Sequence, residues 1–255
     1  MLRPGNSGSG VQLAVVAVYS LKGGVGKTTL AVNLAWCASQ LSARRTLLWD
    51  LDPQAASTFL LGRDQQATDS AQAIFTKDVE PTRLVRPTGI DRLDLIGADT
   101  SLRSLDVVFH ALDKKKRLAK LVTSLDSAYD RLILDCPPGL TETSEQVMRA
   151  ADLIIVPIIP SPLATRAFEE VVQHLDRKGG KVPLLPVHAM VDKRRKLHAE
   201  RLALHPDWPV IPMASMVETM AARRLPVGAF APRSAAQAAF ADLWQAIERR
   251  LSAQK

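Results

Sequence analysis

Residues 20–30, Ser-Leu-Lys-Gly-Gly-Val-Gly-Lys-Thr-Thr-Leu, leave this chain few folds to choose from. A Val-rich apolar run at 11–19 precedes them. From Leu30 onward Leu34, Trp36, Cys37 and Leu41 recur at roughly helical spacing. Strand, glycine-rich loop and helix, in that order, form the setting in which Gly-Lys-Thr binds nucleotide phosphates. The glycines let backbone N–H groups crowd round a phosphate, and the helix N-terminus adds partial positive charge. The cradle is then Gly23, Gly24, Val25, Gly26, Lys27, Thr28 and Thr29, with Lys27 reaching the outer phosphates and the Thr28 hydroxyl holding Mg²⁺. The general pattern has glycine at position 21. This chain has Leu21 there, followed by a second lysine, Lys22.

Two further stretches carry carboxylates to strand ends. Residues 46–49 read as a buried strand that delivers Asp50 and Asp52, and Pro53 stops it. Residues 129–139 end an apolar run in Asp135, and Pro137, Pro138 and Gly139 halt the strand just beyond it. In a parallel sheet the carboxyl edge is where ligands collect. Asp135 is placed to hold Mg²⁺ through water. Of Asp50 and Asp52, one can support the metal and the other can orient the attacking water. A polar cap on a strand-to-turn corner accounts for Asp50 equally well.

The remainder alternates strand and helix. Strands are expected at 92–96, 152–159, 182–190 and 209–212, and helices at 54–61, 102–112, 117–125, 163–175 and 234–251. Residues 62–88 are poorly periodic and read as helix and loop over a sheet edge. This pattern, without internal repeats, predicts a single-domain α/β fold: a mostly parallel twisted sheet with helices on both faces. Residues 1–10 read as a flexible tail and 11–255 as one domain. The 255 residues, 47% hydrophobic, can bury a substantial core. No run is apolar enough to span a bilayer, and Cys37 and Cys136 lack metal-site or disulfide spacing. His188 reads as a strand residue with a satisfied ring.

The octet 22–29 resembles the deviant Walker A loop of the ParA/MinD family of P-loop ATPases. Asp50-Leu-Asp-Pro-Gln54 is similar to that family's first switch, and Asp135-Cys-Pro-Pro-Gly139 to its second. Similarity continues at 151–157, 190–192, 211–212, 225–227 and the closing helix, nearest to small ParA-type partition ATPases without an N-terminal helix-turn-helix domain. The resemblance implies ATP and Mg²⁺ as cofactors, with Thr28 and Asp135 at the metal and Lys22, Lys27 and Asp52 in hydrolysis; Asp50 joins the expected metal set from its own place at the strand end. It adds Pro212 to the nucleotide site. It further implies an ATP-dependent homodimer in which Lys22 crosses to the second copy's phosphates. Many relatives carry an Asn where this chain reads Val187-His-Ala-Met-Val-Asp192, so ATP over GTP rests on the resemblance alone.

Family members couple the ATP state to non-specific DNA or to membrane. A net charge of +7 and the clusters Arg194, Arg195, Lys196 and Arg223, Arg224 favour DNA. The expected setting is the cytoplasm, on the nucleoid in the ATP state, with a ParB-like adaptor on the cargo. A MinD-like membrane-associated ATPase is the alternative, in which Phe240, Leu243, Trp244 and Ile247 would line an interfacial helix; packing of the closing helix on the sheet is the favoured reading of the same residues. Biosynthetic P-loop ligases and kinases share the loop. An iron protein of the nitrogenase type would need cysteines in other contexts.

Overall fold

Residues 14–18, 46–50, 131–135 and 153–158 have apolar centres and are buried at every position, as in a sheet covered on both faces. In the computed structural model, which describes residues 12–62, 70–76, 79–112, 116–179 and 182–254, that is what they form. The first half runs β1 (Ala14–Val18), α1 (Lys27–Gln40), β2 (Thr46–Asp50), α2 (Ala56–Leu61), α3 (Ala73–Thr76), β3 (Val85–Ile90), β4 (Leu93–Ile96), α4 (Leu105–Leu112) and α5 (Arg117–Thr123). The second half runs β5 (Arg131–Asp135), α6 (Glu142–Ala150), β6 (Leu153–Ile158), α7 (Pro162–Arg177), β7 (Leu184–Val191) and α8 (Lys196–Leu204). It closes with β8 (Val210–Pro212), α9 (Ser215–Arg223), α10 (Val227–Phe230) and α11 (Ala235–Ala253).

The eight strands lie in the order β3-β4-β2-β5-β1-β6-β7-β8. All pairings are parallel except β3 with β4. Side chains alternate between the faces. Val15, Ala17, Leu47, Trp49, Leu132 and Leu134 pack against α4 to α7, while Val16, Val18, Leu48, Ile133 and Ile155 pack under α1 and α11. The predicted α/β architecture therefore holds. From β1 the chain moves one way to β2, and from β5 it crosses to β6 on the other side. The strand order reverses at the middle of the sheet, which opens a crevice at the carboxyl ends.

Local departures from expectation have local causes. β3 falls where only helix and loop are expected, because Pro87 and Gly89 hide an edge strand. The expected helix at 102–112 begins as a 3-10 turn, Thr100–Ser104, capped by Asp99. Helix α6 follows a polar stretch with little apolar periodicity. Its signal is the capping box, in which Thr141 accepts from Ser144 N–H and Ser144 Oγ accepts from Thr141 N–H. The expected tail at 1–10 lies outside the described residues.

Helix α11 buries Phe240, Leu243, Trp244, Ile247 and Leu251 in the sheet-facing cluster. That apolar face belongs to the core, as the favoured reading of the closing helix expects, and it is not left to line an interfacial helix. Among the described residues no helix is long and apolar enough to cross a membrane.

Candidate nucleotide and metal site

Parallel register sets the site. Asp135 pairs with both Val18 and Asp50, so the start of the glycine loop and two carboxylates reach the sheet edge at one level. The loop turns through Gly24 (φ 72°) and Gly26 (φ 92°), and Gly26 caps α1. An L side chain is strained in that left-handed region. A Cβ on Gly26 would also stand 3.5 Å from Met190 Cε, so the end of β7 closes this side of the loop.

Lys27 is 7% exposed, and its Nζ donates to the Lys22 carbonyl at 3.1 Å. Burial lowers its pKa, while the charges of Asp135 and Asp52 pull it back up. The ammonium is thus held in the mouth of the loop, partly desolvated, where an anion would meet it. Lys22 is half-buried beside Val25 and the α7 residues Ala164 and Phe168. Thr29 presents its carbonyl to Asn33 Nδ2 at 2.8 Å.

Asp135 is fully buried. Its Oδ2 accepts from Ser57 Oγ at 2.7 Å, and its Oδ1 has no hydrogen-bond partner among the described residues. Burial pushes its pKa up, Ser57 and Thr28 hold it down, and the Asp52 charge adds to the rise. A buried carboxylate oxygen with an unfilled bond, beside a threonine hydroxyl, is a donor set that suits Mg²⁺ and its water. The residues present fit the metal.

Asp50, expected at the metal, is engaged elsewhere. Its Oδ2 accepts from both Thr58 N–H (2.9 Å) and Thr58 Oγ (2.8 Å), and its Oδ1 from Asp52 N–H (3.1 Å). Both oxygens brace their own segment, which fits the strand-corner cap better than a metal ligand. Asp52 is half-exposed and accepts from Gln54 N–H at 2.9 Å, and its charge acts on both Lys27 and Asp135. Ser57, Thr58 and Tyr19, whose hydroxyl donates to the Gly139 carbonyl at 2.9 Å, are site residues that periodicity missed. The one available signal for Ser57 and Thr58 was a pair of hydroxyls a few residues after Asp52-Pro53.

Pro212 lines an open cleft of about 500 Å³ with Val191, Asp192, Arg194 and Glu218, two strands away from β6. The basic residues do not all converge. Arg195, Lys196 and Arg223 are exposed, and Arg194 is exposed but forked onto Asp192 (2.9 and 3.0 Å). Arg224, expected on the same face, is instead drawn into the fold. Its guanidinium donates to the Phe59 and Gly62 carbonyls at the end of α2. His188 is half satisfied: Nε2 lies 3.2 Å from the His205 carbonyl, while Nδ1 has no partner among the described residues.

The AAA domain family matches residues 13–179. A virulence plasmid ParA family protein of Chlamydia psittaci is 31% identical over 180 residues, 69% of this chain and 68% of that protein. This chain belongs to the ParA/MinD family of P-loop ATPases. The sporulation initiation inhibitor protein Soj of Bacillus subtilis is 30% identical over 56% of this chain, and the match spans 57% of Soj's own length. Among solved structures, cobyrinic acid a,c-diamide synthase of Mycobacterium smegmatis, with bound ATP analogue and magnesium, superposes at a TM-score of 0.80. It is 26% identical, over 95% of this chain and 97% of that one. This chain and the synthase thus share one architecture.

Proposed function

We propose that this ParA-family chain is an ATP-driven positioning switch. It binds ATP with Mg²⁺, pairs with a second copy, holds non-specific DNA as the dimer and lets go after hydrolysis. A ParB-like adaptor on the cargo stimulates turnover. The observation that carries this reading is the carboxyl edge itself: buried Lys27, the orphaned Asp135 oxygen and Asp52 acting on both.

Lys27 and the loop N–H groups hold the phosphates, and Asp135 with the Thr28 hydroxyl holds the metal. Bound there, Mg²⁺ neutralises charge on the outer phosphates. Asp52 orients the attacking water and accepts its proton. Lys22 gives its carbonyl to Lys27 and directs its ammonium to the second copy, so transition-state charge is fully met only in the dimer. Turnover per chain is then expected to rise with protein concentration, and Lys27→Ala to abolish it.

The DNA arm is tested with Asp52→Ala protein, expected to trap the ATP dimer. Binding to a duplex of arbitrary sequence is measured with ATP and with ADP across a salt series. Tight binding with ATP alone, falling at least about tenfold between 50 and 200 mM salt, supports phosphate contacts by Arg195, Lys196 and Arg223. A dimer that forms but ignores DNA defeats the DNA arm. Binding to anionic vesicles would then favour a membrane-associated relative.

A further inference from the structure

Helix α2 has six residues and is held at both ends by polar ties. Its entry residue Ala55 is left-handed (φ 55°), and Phe59 is 55% exposed. At the start, Ser57 donates to Asp135 and Thr58 to Asp50, the two carboxylates paired across β2 and β5. At the end, the Phe59 and Gly62 carbonyls accept from Arg224, whose guanidinium also covers the Phe59 ring at 5.2 Å. Arg224 closes α9 at φ 50°, where a glycine would sit without strain. A left-handed arginine that caps another helix marks a place where backbone strain is retained for a contact.

We propose that Ser57 and Arg224 are positioning residues that make α2 a connecting rod between the metal end of the nucleotide site and α9, so that occupancy at Asp135 is felt at Arg223. This rests on the ATP reading above. Ser57 holds one oxygen of Asp135 while the other is the free metal-side oxygen, so any rotation of that carboxylate on loading pulls on α2. Short, half-exposed helices lie at the low-stability end of a fold and shift readily. Directional bonds at both ends pass that shift on. Arg223, next in the chain to Arg224, is exposed and stacks its guanidinium 5.0 Å above Phe230. A second tie exists: Asn33 on α1 donates to Met220 Sδ at 3.2 Å and accepts from Val227 N–H at 2.9 Å. The experiment has to separate the two routes.

Amide hydrogen exchange of the full chain is measured with and without Mg²⁺ and a non-hydrolysable ATP analogue, with analogue binding read in the same samples by fluorescence. In wild type, exchange is expected to slow roughly threefold or more in both α2 and α9. In Arg224→Gly, which suits the backbone and deletes the guanidinium, the α2 response stays and the α9 response drops by at least half. Arg224→Lys, with one compact donor group, restores part of it. Ser57→Ala weakens both responses while the analogue still binds. An α9 response unchanged in Arg224→Gly would assign the coupling to Asn33 and overturn the proposal. So would a wild type in which α2 responds without α9. Failure of wild type to bind the analogue is a separate result. It removes the ATP reading, and this inference with it.

Discussion

Asp135 and Asp50 show what the site costs the fold. Burial is the main reason both carboxyls titrate above their ordinary range. The charge of Asp135 adds to the rise at Asp50, and that of Asp52 to the rise at Asp135. The folded chain therefore keeps protons that the unfolded chain gives up near pH 4, and the pair's contribution to stability falls as pH rises from about 4 toward neutrality. Asp130 works the opposite way. Burial raises it, but its bonds with Arg45 outweigh that, so its share is present above about pH 4 and lost below. Without nucleotide or metal, Asp135→Asn is expected to melt higher than wild type at pH 8, with the gap narrowing at pH 5. The same variant should lose Mg²⁺-dependent tightening of ATP. Thermal melts at both pH values, with a metal titration, check the pair of outcomes. Cys37 is the second case at this scale. Its thiol is buried and its pKa pushed up to about 12, and Cys136 is fully buried. Both should resist alkylation at pH 8 until the chain unfolds, as mass spectrometry after iodoacetamide would show.

Elements are locked by close contacts that single residues permit. Gly228, the second residue of α10, lies directly against Trp36 of α1, and a Cβ there would overlap the indole ring. Gly228→Ala is expected to cost about 1–3 kcal/mol, seen as a lower denaturation midpoint with unchanged slope. Asn33 is fully buried on α1 and satisfies Val227 N–H. Asn33→Leu leaves that donor unmet, at about 1–3 kcal/mol. Such pairings join residues nearly two hundred positions apart, which is why no local pattern announces them.

At the scale of the whole molecule, α11 closes the face under α1. Trp244 is 1% exposed and donates to Ser42 Oγ at 2.8 Å, while Glu248 forks onto Arg131 at 2.7 Å through both oxygens. Trp244→Ala is expected to cost about 3–5 kcal/mol in urea unfolding. A helix that peeled away to a membrane would tolerate the change at far smaller cost. The reversal of strand order beside β1 places loop, carboxylates and α2 at one edge. The exposed basic residues Arg195 and Lys196 sit after β7, two strands out.

The phosphate loop, the two acidic strand ends and the α/β alternation were legible in the residues, because each rests on local chemistry. Glycines must stand where phosphate crowds the backbone, an apolar run must be buried, and proline must end a strand. The family resemblance rested on those same stretches. Three things were decided only by tertiary structure. Asp50 became a brace because Thr58, eight residues on, folds back onto it. Arg224 left the basic face because the Phe59 and Gly62 carbonyls at the end of α2 accept its guanidinium. β3 became an edge strand because β4 offered it a free ladder. In each case the deciding partner is supplied by the packing of separate elements, and no spacing along the chain records it.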